Sequence, residues 1–151
     1  MNELDQLYQE IILDHSKRRV GQGILEPNDG QSFQVNPTCG DQVTVQVRVG
    51  GGTLEALAWD GKGCSISQAS ISVMASMVEQ KRFDEIDHLH ETFSELMNSR
   101  GQGLDEDKLD ELGDASAFVG VSQFPARIKC ALLGWMALRD ALIQARGKDE
   151  S

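Results

Sequence analysis

Apolar and polar positions recur along this chain with two different periods, and the period predicts which backbone each segment adopts. Residues 2 to 15 carry Leu4, Leu7, Tyr8, Ile11 and Ile12 on one stripe at helical spacing, with acids in the first turn and Asn2 as the candidate cap. That pattern predicts an amphipathic helix. His15 falls at its end, where a cation complements the helix dipole. After Lys17, Arg18 and Arg19 comes GQGILEPNDGQ, a run of residues that favour turns and is expected to be loop. Over residues 43 to 49 the period changes to two. Val43, Val45, Val47 and Val49 take one side and Thr44, Gln46 and Arg48 the other, the alternation of a half-buried strand. Gly50, Gly51 and Gly52 followed by TLEALAWDG predict an antiparallel hairpin, and the segment around Phe33 to Asn36 is a candidate third strand.

The helical period returns at Ser65, where Ile66, Ser70, Val73, Met74 and Met77 predict a helix to about Gln80 with its methionines in the core. A second helix from Phe83 to about Met97 aligns Phe83, Ile86, His90, Phe93 and Met97. Residues 98 to 114 are acidic and glycine-bearing, which predicts a mobile loop or a short surface helix, with DEDKLDE a solvated face. The last helix starts at Pro125, a residue suited to the first helical position because that amide has no intrahelical partner. It carries Ala131, Trp135, Leu138 and Leu142 on one face to about Ala145. With no internal repeat or long linker, residues 1–146 are expected to form one domain and 147–151 a disordered tail.

Composition narrows the function classes. Of 151 residues 40% are apolar, which suits one soluble domain that buries roughly two thirds of its extended surface. Twenty-four acidic against 14 basic side chains leave a charge of −10. That argues against nucleic acid and anionic membranes as partners and favours a basic protein. The N-terminal segment lacks the long apolar run of a signal peptide or membrane span, so the expected address is cytoplasmic. Three cysteines are too few for a secreted scaffold and are expected to be thiols.

The uses of such thiols are packing, metal ligation or nucleophilic chemistry, and their neighbours bear on the choice. Cys39 lies in the loop sequence NPTCGD, two residues before Asp41, so both could reach one ion. Cys64 lies in GKGCSIS at a strand-to-helix junction, where a helix N-terminus favours the thiolate. Cys130 lies in PARIKC near another helix start, with Arg127 and Lys129 adjacent, and both effects again favour thiolate. Three such cysteines and a carboxylate make a four-donor set acceptable to zinc, but with no CxxC pair their convergence depends on the fold. His88 and His90 are two apart on a helix and face different sides, a poor metal pair. No histidine is paired with a cysteine as a hydrolase base would be.

NPTCGD, GKGCSISQAS and PARIKCALLGW, in that order, resemble the three signatures of the IscU/SufU family (NifU N-terminal-like) of iron-sulfur cluster assembly proteins, over nearly the whole chain. The long stretch between the second and third cysteines and Lys129 before Cys130 are similar to the SufU branch. The LPPVK motif typical of the IscU branch is not found. The resemblance implies an α+β domain, a small, about three-stranded, mainly antiparallel sheet packed against several helices, with a surface site of Cys39, Asp41, Cys64 and Cys130 holding Zn2+. It further implies that Cys39 accepts persulfide sulfur from a SufS-like cysteine desulfurase, assisted by Arg127, for a downstream assembly complex. The alternative within the family is a scaffold on which the same four residues bind iron or a transient [2Fe-2S] cluster for apo-proteins. From another class comes a structural zinc-binding interaction module, against which Asp41 counts, because closed structural sites favour four Cys or His ligands.

Overall fold

The computed structural model describes residues 3–149, and within them the chain is an α+β domain. Helix α1 (Glu3–Arg18) precedes strands β1 (Gly30–Asn36), β2 (Asp41–Gly50) and β3 (Thr53–Lys62). Helices α2 (Ser65–Val78), α3 (Phe83–Met97) and α4 (Glu106–Leu112), a run of 3-10 turns (Gly113–Gln123) and α5 (Pro125–Asp149) complete it. The three strands form one antiparallel sheet in the order β1-β2-β3. Gly51 and Gly52, with φ of 60° and 79°, make the β2–β3 turn in the left-handed region that a two-residue hairpin requires.

Register decides which residues enter the core. Val45 pairs with Ser32 on one side and Trp59 on the other, and Val47 with Gly30 and Leu57, so one face of the sheet is lined by the β2 valines. Val43, Val45, Val47 and Trp59 are fully buried, and Val49, beyond the register shift, is partly so. Helix α5 packs across β1 and β2 and against α2, and α2 packs in turn against α1. The α5 contacts are close because two glycines permit them. A Cβ at Gly30 would overlap the backbone carbonyl of Ala141, and one at Gly134 would come within 2.6 Å of Ile71 Cγ1. Trp135 closes the far side of the core, stacked on Phe93 at 5.5 Å.

The alternating strands, the hairpin, α3 and the start of α5 at Pro125 all match the sequence pattern. Asn2, the expected cap, lies outside the described residues. Four features differ. Leu4 and Leu7 of the predicted stripe are half exposed, 51% and 50%, while the inward face of α1 is formed by Ile12 and a buried His15. His15 is buried rather than at the surface: Nδ1 is hydrogen-bonded to Ser72 Oγ at 2.9 Å and Nε2 to Asp114 at 3.1 Å, which ties α1 to α2 and the 3-10 run. Helix α2 is buried from Ser67 to Ala75 rather than along one stripe. Helix α5 continues through residues 147–149 of the expected tail, and residues 150–151 lie outside the described residues. Among the described residues no helix is long and apolar enough to cross a membrane.

Candidate metal centre

Three chain segments meet at one end of the sheet. The first is the β1–β2 loop, which turns back so tightly that Asn36 and Asp41 are register partners, with the Asn36 carbonyl accepting the N–H groups of Cys39 and Gly40. This holds Cys39 at the exposed tip and Asp41 fully buried at the start of β2. The second is the β3–α2 junction. Cys64 is the N-cap of α2, with extended backbone (φ −70°, ψ 165°), and its carbonyl accepts the Gln68 N–H at 3.1 Å. The third is the second turn of α5, which carries the buried Cys130.

Asp41 joins the first two segments. Its Oδ1 accepts the backbone N–H of Cys64 at 2.8 Å, and its Oδ2 lies 3.7 Å from the Cys64 sulfur. The carboxylate therefore stands in for the missing side-chain cap of α2 while its other oxygen faces the sulfurs. Ligand atoms of Cys39, Asp41 and Cys130 all lie within 4.8 Å of one another, with Cys39 Sγ and Cys130 Sγ 3.6 Å apart. The Cys64 sulfur lies outside this mutual set and touches it only through Asp41, 3.7 Å from Oδ2, so of the four expected donors the structure brings three together and leaves Cys64 at their edge. Gly63 makes the approach possible: its φ is +153°, and a Cβ there would overlap Asp41 Oδ1 and come within 2.9 Å of Ser67 Oγ.

The chemistry of this donor set fits a divalent cation. Three sulfurs and a carboxylate oxygen are a four-donor set of the kind zinc accepts. The Cys130 thiol is pushed well above its ordinary range, first by burial, then by its contacts with Asp41 and Cys39 and by the negative charges of Cys64 and Asp41. This corrects the expectation of a thiolate-favouring helix start at Cys130. Arg127 and Lys129 are exposed, and burial among acceptors dominates. A cation reverses that balance, since the same crowded anions that repel one another attract it.

Arg127 stands in the first turn of α5 and lines a groove with Tyr8, Ile12, Ile66 and Phe124. Among the described residues no hydrogen bond joins its side chain to the four donor residues. Two contributors escaped the sequence reading. Asn36 sits beneath the thiol pair with Nδ2 3.7 Å from Cys130 Sγ. Arg19 clamps the Cys64 junction from behind: its guanidinium donates to Gln68 Oε1 at 2.5 Å and to the Gly61 carbonyl at 2.9 Å, and lies over the Trp59 ring at 4.8 Å. Asn36 could have been singled out as a polar residue closing a strand. No sequence signal marks Arg19 among its basic neighbours.

This fold, with Cys39, Asp41 and Cys130 clustered and Cys64 bound to Asp41 at their edge, agrees with a match over residues 7–148 to the family model of the NifU-like N-terminal domain. The chain belongs to that family, the IscU/SufU proteins of iron-sulfur cluster assembly. It is 39% identical over 145 residues to the zinc-dependent sulfurtransferase SufU of Bacillus subtilis (strain 168), covering 95% of each chain. It is also 38% identical over 142 residues to the iron-sulfur cluster assembly scaffold protein IscU of Streptococcus pyogenes serotype M1, covering 94% of this chain and 86% of that one. Among solved structures, the N-terminal part of a nitrogen-fixing NifU-like protein from Brucella abortus superposes with a TM-score of 0.81 at 27% identity, covering 97% of this chain and 99% of that one.

Proposed function

We propose that this protein is a zinc-dependent sulfurtransferase that accepts persulfide sulfur from a SufS-type cysteine desulfurase, with Cys39 as acceptor and Cys39, Asp41, Cys64 and Cys130 as metal ligands. The observation that carries the reading is the contrast within the thiol pair. Cys39 is exposed at a loop tip while Cys130, 3.6 Å away, is buried. Of that pair Cys39 is the more accessible to a persulfide on a partner's active-site loop, and the sulfur of Cys64, though exposed, lies against Asp41. Bound zinc keeps its sulfur ligands in the thiolate form. In the transfer, the Cys39 sulfur attacks the outer sulfur of the donor persulfide. A new S–S bond forms on Cys39, the donor's S–S bond breaks, and its inner sulfur leaves as the donor thiolate. In this reading Arg127, exposed at the groove beside Ile66 and Phe124, meets the negative charge of the incoming persulfide or a carboxylate of its carrier.

The similarity to IscU scaffold proteins favours a second reading, in which the same donors assemble a transient [2Fe-2S] cluster. One experiment separates them. Native mass spectra of the anaerobically purified protein are recorded before and after incubation with desulfurase and free cysteine. Retained zinc with added sulfur that vanishes in Cys39→Ala is the expected result. Iron plus sulfide appearing once iron is supplied would establish the scaffold instead, and zinc retained without sulfur uptake would leave a structural zinc module.

A further inference from the structure

Asn36 ends β1 and is only 5% exposed, so its amide must find partners inside the protein. Its Oδ1 accepts the Thr38 N–H at 3.2 Å, and its backbone carbonyl accepts the N–H groups of Cys39 at 3.3 Å and Gly40 at 2.8 Å. The remaining group, Nδ2, donates across to Cys130 Sγ at 3.7 Å. One residue thus organises the loop that presents Cys39, mostly through its backbone carbonyl, while its side chain donates to the sulfur of Cys130. A hydrogen bond donated to a sulfur draws electron density from it and makes it a poorer nucleophile, as outer-sphere donors do around metal-bound ligands.

We infer that Asn36 is a positioning residue that holds Cys130 as the inert sulfur of the pair and so directs electrophilic sulfur to Cys39. The inference rests on the reading of Cys39 as acceptor. Asn36→Asp keeps the Oδ1 acceptor for Thr38, removes the N–H to sulfur and adds a negative charge. Asn36→Leu removes both without adding charge, so an effect common to the two variants belongs to the lost N–H···S bond.

The test uses the full-length chain, loaded with zinc and with cobalt(II) in parallel, and no desulfurase. Each protein is treated with limiting methyl methanethiosulfonate, a compact thiol reagent, and the label on Cys39 and Cys130 is read by peptide mass spectrometry. The expected result is a several-fold rise in the Cys130 share in both variants, with the sulfur-to-cobalt charge-transfer band moved to lower energy. An unchanged partition in both variants overturns the inference, whatever the band does. A change confined to Asn36→Leu assigns the effect to loop anchoring, and one confined to Asn36→Asp to added charge. Either also overturns it. Because the partition is read without sulfur transfer, failure of the acceptor role shows separately, as undiminished sulfur uptake by Cys39→Ala.

Discussion

Gly63 and Asp41 are the two residues whose replacement tests the centre most directly. At Gly63 a Cβ would both strain a backbone with φ of +153° and push Asp41 from its place against the Cys64 N–H. Gly63→Ala is therefore expected to destabilise the fold by about 1–3 kcal/mol and to weaken zinc binding, measured by denaturant unfolding and chelator competition. Asp41→Asn keeps an oxygen for the Cys64 N–H but loses the charge. Its fold should survive while zinc affinity falls at least roughly tenfold, equivalent to about 1.4 kcal/mol; unchanged affinity would remove Asp41 from the ligand set. The candidate donors were legible because their motifs are local. What was not legible is the environment that the fold supplies. Cys130 read as a thiolate from Arg127, Lys129 and a helix start, yet in the folded chain it meets Asn36, Asp41 and Cys39, each far from it in sequence.

Helices and strands were read where one period dominates, and missed where burial follows contacts instead. Val43 to Val49 and Phe83 to Met97 show their periods plainly. Residues 113–123 form 3-10 turns that bury a continuous run, Ala115 to Phe118, and then Val121 and Ser122, with small and polar residues among them that carry no apolar stripe. Leu4 and Leu7 carry the right period for a core face, but the neighbours of α1 cover only its later turns. Two glycines at the α5 contacts give a graded prediction. Gly134→Ala meets the Ile71 side chain, which can shift, so part of the overpacking cost of about 1–3 kcal/mol is offset by better helix propensity. Gly30→Ala meets backbone at Ala141 and Ala145, which cannot shift, and should be the more destabilising of the two in urea. On α3, burial beside Trp135 and the charge of Arg139 hold His90 below its ordinary value of 6.5, against the opposing pull of Asp87 and Glu91. The unfolded chain then binds the proton more readily than the folded one, so this contribution to stability is complete above about pH 6.5 and is lost as the pH falls through the lower folded value. His90→Gln should flatten that acidic decline in thermal melts, and an unaltered slope would assign it elsewhere.

The molecule as a whole carries a charge of −10, and any protein that docks against the centre approaches that field. Sulfur uptake from a desulfurase is expected to slow as salt is added, because charges separated by more than about 8 Å are screened at physiological ionic strength. A salt-independent rate would instead point to the apolar groove of Tyr8, Ile12 and Phe124 as the dominant contact. The overall architecture, and through the resemblance a shared site, were legible in the order of the motifs, whereas the geometry that pairs Cys39 with Cys130 and leaves Cys64 at the edge was not, since only the sheet register and the packing of α5 produce it. That convergence also has a timetable. Cys130 follows Cys64 by 66 residues. At roughly 5–20 residues per second, a ribosome delivers it about 3–13 s later. A nascent chain therefore carries Cys39, Asp41 and Cys64 through that interval without their third sulfur. Only the arrival of α5 completes the set and covers the valine face of the sheet in the same event, so filling the centre belongs to the close of synthesis.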